Sequence, residues 1–243
     1  MQKKVLITGV LGGIGVGLAR AFKDEGYFVI GMDVKKSEPV FCDLFIQFDL
    51  NKYCSNDIYR KNIEQTFDSK ILSLNVLINN AAVQILGSLN EIDLESWNET
   101  LNVNLTGPML LSRFFLDKLK TSSGCIINIA SIHQELTKKR FIAYATSKSA
   151  LVGLTKSMSI DLQGTVRVNS ISPAAIDTPM LHDGFNNDLL MVQKLNEIHP
   201  LQRIGKPREV AKLALLLAED GLEFINGANI KIDGGISNVL KDL

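Results

Sequence analysis

The sequence predicts an α/β fold, a doubly wound parallel sheet of seven strands with helices on both faces. Short β-branched and apolar runs alternate with longer stretches at helical spacing, the pattern of a parallel sheet whose crossovers are helices. The strand runs are apolar nearly throughout, as strands covered on both faces require. With 243 residues, 46% of them hydrophobic, such a layered body buries about three quarters of its unfolded surface, so one domain over 1–243 is the simplest organisation.

The strand runs are 5–8, 28–32, 44–48, 76–78, 125–129, 166–171 and 229–232. Helices are predicted at about 14–25, 57–70, 94–119, 144–162 and 207–218. The first carries Ile14, Leu18, Ala21 and Phe22 on one face and ends at Gly26, and Pro207 with Glu209 opens the last. The stretch 174–200 has no clean period and is longer than a normal connection, so it is predicted to be a substrate loop or lid. The apolar run 5–19 behind Lys3 and Lys4 imitates a secretory signal. It contains Thr8 and five glycines, lacks a small-residue cleavage site and is too short to span a bilayer, so it reads as a strand and turn.

Charge and cysteine usage narrow the function classes. Lys plus Arg and Asp plus Glu both number 26, so no basic field is available for nucleic acid, and a small-molecule partner is expected. Cys42, Cys54 and Cys125 are odd in number and far apart, which fits neither a disulfide framework nor a zinc site and suits the cytoplasm. His133 and His182 have no third ligand spaced near them, and a metal-free site is expected.

A strand ending in Thr8-Gly9, followed by Val10-Leu11-Gly12-Gly13-Ile14-Gly15 and a helix, is a layout that sets a pyrophosphate on a helix N-terminus. It makes the predicted fold Rossmann-like. Gly9, Gly13 and Gly15 lack the Cβ that would keep backbone away from a ligand, and Ile14 lies among them. The second strand leads to Asp33, 18 residues after Gly15, where a carboxylate can accept hydrogen bonds from both hydroxyls of an adenosine ribose; NAD is the cofactor this predicts.

Tyr144-Ala-Thr-Ser-Lys148 opens a helix, and a spacing of four sets phenol and ammonium on one face. Thirteen residues earlier, Ser131 follows a strand at the carboxyl edge of the sheet, where open α/β sheets bind ligands. Asn79-Asn80-Ala81-Ala82 ends another strand, and Asn102-Val103-Asn104 lies in the long helix. With these five ordered motifs, from Lys3 to about Gly235, the chain resembles the short-chain dehydrogenase/reductase family in its single-domain branch.

The resemblance implies interconversion of a secondary alcohol and a ketone by hydride transfer. Tyr144 is then the acid/base, Lys148 its partner, Ser131 the group orienting the substrate oxygen and Asn104 a proton-relay element. It also implies that Asn80, Ala81 and Ala82 flank the cofactor, Asp49 and Leu50 its adenine end, and Pro173, Ile176 and Thr178 its carboxamide, while Asp233-Gly234-Gly235 closes the last strand. Ala82 and Ala174 stand where the family commonly has Gly, which should narrow the backbone approach slightly.

Lowering a phenol from pKa near 10 toward 7 requires roughly 4 kcal/mol, which one ammonium and a positive nicotinamide ring could supply in a shielded site. Pro108 has no N–H, so the Asn104 carbonyl loses its helical donor and is free to hold a water leading from Lys148. Gln84, His133, Gln134, Met180, His182, Phe185, Asn186 and Asn187 are the candidate substrate wall, a lining suited to a polyol or sugar-like alcohol. A 3-oxoacyl or hydroxysteroid-type reductase is the rival enzyme, less favoured because Val10-Leu11 lacks the basic residue that NADPH-dependent relatives usually carry. A non-catalytic NAD(H)-binding sensor is the rival of another class. The 144–162 helix carries Ala145, Ser149, Ala150 and Gly153 beside Leu151, Leu154 and Met158. Paired with the helix over 97–119 across a two-fold axis, this surface predicts a homo-oligomer, a dimer or a tetramer.

Overall fold

The computed structural model describes residues 2–37, 40–185 and 188–240. Seven strands form one sheet: β1 (Lys4–Thr8), β2 (Phe28–Asp33), β3 (Leu44–Gln47), β4 (Val76–Asn79), β5 (Cys125–Ile129), β6 (Arg167–Pro173) and β7 (Asn229–Ile232). Their order is β3-β2-β1-β4-β5-β6-β7 and every pair is parallel. Neighbouring residues of a strand serve opposite faces. Val5 and Ile7 pack beneath α1 (Gly13–Asp24) and α10 (Pro207–Ala218), with Phe22, Val210 and Ala214. Leu6, between them, packs on the other face with Leu77, Ile126, Leu111 and Phe115. Two cores on one sheet explain why the strand runs are continuously apolar.

The strand order reverses between β1 and β4, so the chain leaves their carboxyl ends toward opposite faces and opens a crevice. The remaining helices are α2 (Leu50–Ser55), α3 (Asp57–Lys70), α4 (Leu94–Leu101), α5 (Gly107–Phe114), α6 (Leu116–Thr121), α7 (Ile142–Asp161), α8 (Pro179–Gly184) and α9 (Leu189–Ile198), with Phe67 of α3, Leu111 of α5 and Leu119 of α6 in the core on the second face.

Two expectations about elements are corrected. The continuous helix over 94–119 is broken: a π-helical segment, Asn102–Thr106, separates α4 from α5, and Phe115 leaves helical geometry before α6. Pro108 cannot donate to the Asn104 carbonyl, and upstream the Gly107 N–H reaches back five residues to the Asn102 carbonyl, giving the wider turn. The 174–200 stretch is not an irregular loop, since it holds α8 and α9. Neither helix has a buried residue, and Leu189, Leu190, Met191 and Ile198 of α9 are all exposed, so no single apolar face imposed a readable period.

Candidate active site

The crevice is built from the exits of β1, β4, β5 and β6. Thr8 Oγ1 accepts the backbone N–H groups of Asn80 and Ala81, each at 3.0 Å, while Asn80 Nδ2 donates to the carbonyls of Thr8 (2.9 Å) and Gly9 (3.0 Å). These bonds lock the two diverging loops together. Gly9 sits at φ +65°, and a side chain there would lie 2.8 Å from the Ala81 Cα, so both dihedral and space require glycine. A Cβ on Gly15 would strike the Gly9 carbonyl, which is how the start of α1 comes so close under the turn. No side chain caps α1 and its first turn holds no acidic residue. The helix terminus is thus bare beside a tight turn, a cradle suited to a pyrophosphate.

Asp33 ends β2 above this turn. Its Oδ2 accepts the Leu11 N–H and its Oδ1 the Lys35 N–H, both at 3.0 Å, fixing the carboxylate and leaving a lone pair on each oxygen. After β6, Ile176 is buried and pairs with Gly205, and Thr178 caps α8 by accepting the Leu181 N–H. Thr178 reaches the turn itself, since a Cβ on Gly13 would lie 2.6 Å from its Cγ2. Pro173 marks the exit of β6. Glycine turn, Asp33, Asn80, Ala81 and the Pro173–Thr178 stretch therefore surround one crevice, and they fit a dinucleotide. Asp49 and Leu50 also serve the fold. Asp49 caps α2, accepting the Lys52 N–H at 2.9 Å, and the Leu50 side chain is buried against Gly107.

Ser131, Tyr144 and Lys148 meet on the far side of the crevice. Ser131 leaves β5 and accepts the His133 N–H at 3.2 Å, opening a single 3₁₀ turn. Lys148 is buried, and its Nζ donates to the Ile129 carbonyl at 2.8 Å and lies 5.7 Å from the Tyr144 ring centroid. Burial pushes Lys148 down to about 8. Burial also raises Tyr144, with the Ser131 hydroxyl opposing it. In the chain alone, then, the phenol is raised, and the group that opposes its desolvation is the Ser131 hydroxyl, not Lys148 as expected.

Asn104 does more than its spacing suggested. Fully buried, its side chain clamps the Val83 backbone, accepting the N–H at 2.9 Å and donating to the carbonyl at 3.0 Å, and donates again to Ser147 Oγ at 3.0 Å. Ser147 passes this on to the Tyr144 carbonyl at 2.7 Å. Asn104 thereby joins the loop after β4 to α7. The sequence assigns no role to Ser147 or Thr8, although each lies within a motif, because a small hydroxyl residue gives no signal of its own.

The wall residues divide. His133 packs against Phe141 with the rings tilted by 50° (4.7 Å between centroids) and meets Tyr144 edge-on at 6.0 Å. His182 bonds Asp177 at 2.8 Å within the segment carrying α8, and Met180 is half exposed there. Asn186 and Asn187 lie outside the described residues. Among the described residues there is no group of three or more metal-ligating side chains, and no helix is long and apolar enough to cross a membrane.

A family model described as enoyl-(acyl carrier protein) reductase matches residues 9–237. The chain is 33% identical to meso-2,3-butanediol dehydrogenase of Serratia marcescens, over 96% of this chain and 94% of that one. It is 30% identical to a 3-oxoacyl-[acyl-carrier-protein] reductase of Thermotoga maritima, over 96% and 97%. Among solved structures, the ligand-free aldohexose dehydrogenase of Thermoplasma acidophilum superposes with a TM-score of 0.91 at 31% identity, over 100% of this chain and 96% of that one.

Proposed function

Because the chain belongs to the short-chain dehydrogenase/reductase family, we propose that it is an NAD-dependent oxidoreductase interconverting a polyol- or sugar-like secondary alcohol and a ketone. The observation that supports this best is the meeting of Ser131, Tyr144 and Lys148 across one crevice from the glycine turn and Asp33. The relatives named for a butanediol and an aldohexose favour a hydroxyl-rich substrate.

In this reading Gly9, Gly13, Ile14 and Gly15 hold the pyrophosphate and Asp33 the adenosine ribose. Asn80, Ala81, Ala82, Pro173, Ile176 and Thr178 line the remainder, with Asp49 and Leu50 bounding the adenine end. The dinucleotide, when bound, supplies or accepts the hydride. Ser131 donates to the substrate oxygen and Tyr144 exchanges a proton with it. Lys148 leaves the Ile129 carbonyl to hold the nicotinamide ribose, and its positive charge favours the phenolate. Asn104 positions α7 through Ser147, and its own carbonyl, deprived of a donor by Pro108, holds the water through which the proton reaches solvent. The homo-oligomer expected from α7 belongs to the same proposal, as do a cytoplasmic location and a single domain.

A panel of secondary alcohols, diols and sugars with NAD, followed by absorbance of reduced nicotinamide, tests the activity. Oxidation of hydroxyl-rich members is the expected result. Failure across the panel while NADH still binds would favour a sensor, and turnover confined to 3-oxoacyl substrates would favour the reductase that the Thermotoga maritima relative suggests.

A further inference from the structure

Resting on the oxidoreductase reading above, we infer that His133 is a specificity residue that accepts a hydrogen bond from a second hydroxyl of the substrate, selecting diols over simple alcohols. The geometry of its ring carries this. His133 Nδ1 lies 3.1 Å from the Leu136 carbonyl. A carbonyl can only accept, so the proton of the neutral ring sits on Nδ1 and Nε2 carries the lone pair. Burial lowers the imidazole's proton affinity, helped by the Lys138 charge, and keeps the ring neutral.

Nε2 has no hydrogen-bond partner among the described residues, nor is it sealed from solvent. The ring cannot swing away to find one. Phe141 packs against it at a tilt, Ser131 holds its backbone N–H, and Tyr144 stands edge-on beside it. An open acceptor is thus fixed next to the phenol that meets the reacting oxygen. With Ser131 and Tyr144 occupied by that oxygen, the donor reaching Nε2 is a hydroxyl on a neighbouring carbon, as in a vicinal diol or sugar. A substrate lacking it forfeits that hydrogen bond in a half-buried site, which disfavours it.

Butane-2,3-diol and butan-2-ol differ by that one hydroxyl, and kcat/KM for both with NAD, in the wild type and in His133→Phe, tests the idea. The wild type is expected to prefer the diol by about tenfold or more. His133→Phe keeps an aromatic ring against Phe141 and should lose far more kcat/KM on butane-2,3-diol than on butan-2-ol, removing most of that preference. His133→Leu reads the same loss should the Phe variant not fold, and His133→Gln, whose amide oxygen can accept, should restore part of the preference. Equal treatment of both alcohols by the wild type overturns the role of His133, as does an equal loss on both in His133→Phe. Absence of turnover on either and across the panel of alcohols, diols and sugars, in a wild type that binds NADH, overturns instead the oxidoreductase reading beneath it.

Discussion

Tyr144 and Lys148 are both poised against their charged forms in the chain alone, one raised and one lowered, and burial is the leading cause for each. The pair therefore stores a bias that ligand charge must overcome, and this yields a sign. Between about 8 and the ordinary lysine value the unfolded chain binds more protons than the folded one, so stability rises with pH there. Lys148→Met removes that titration. Subtracting its urea-unfolding free energies from those of the wild type, between pH 8 and 9.5, should give a difference that climbs with pH; a flat difference would mean that Lys148 is not desolvated. Tyr144→Phe should lose roughly 10²–10⁴-fold in kcat and leave NADH affinity nearly unchanged. Near-normal turnover on a confirmed substrate would remove Tyr144 as the acid/base. At Asp33, the added phosphate of NADP faces a fixed carboxylate, and two unit charges about 4 Å apart at an effective dielectric near 20 cost roughly 4 kcal/mol. Lys35 and Lys36 offset part of it. A preference for NAD of about tenfold or more in kcat/KM, relaxed in Asp33→Ser, is expected; equal use of both cofactors by the wild type would be the contrary result.

Elements whose job is to bury one face were legible, and elements whose job is to position something were not. The run 125–129, buried throughout, and the stripe of Leu18 and Phe22, with Ala21 partly buried beside them, announce themselves because burial dictates the residue types. The glycine turn and Tyr144-to-Lys148 spacing were equally plain, since each demands rare residue types at fixed offsets. The π-helical segment hid inside an acceptable helical period because it changes hydrogen bonding, not hydropathy, and its one clue was Pro108. Its consequence is functional, for it brings Asn104 to Val83 and Ser147 at once. Asn104→Ala would strand the Val83 N–H and carbonyl, each costing about 1–3 kcal/mol if water does not replace the amide. Urea unfolding should show that loss, together with a fall in kcat as α7 loosens. Full stability in Asn104→Ala would show that water takes the place of the amide and that the clamp is dispensable.

At the scale of the whole molecule, α7 has, like α9, a face left over. Leu151 and Val152 are buried within the chain, so the apolar surface proposed for self-association is narrower than its composition suggested. Ser149 and Gly153 remain exposed, nothing lies within 4 Å of a Cβ on Gly153, and Ile160 is 79% exposed. Glycine in an exposed helix interior costs roughly 0.5–1 kcal/mol relative to alanine, a cost that close approach of a second backbone would justify. Such a surface, repeated by a two-fold axis together with the 97–119 stretch, makes one patch that meets its own copy. Sedimentation at micromolar concentration is expected to show a dimer or tetramer. Gly153→Glu improves helix propensity in the isolated chain while placing a charge and bulk where backbones would meet, so it should dissociate the assembly with no loss of circular-dichroism signal. A wild type that sediments as a monomer, or a Gly153→Glu variant that remains fully associated, would take this face of α7 out of the interface.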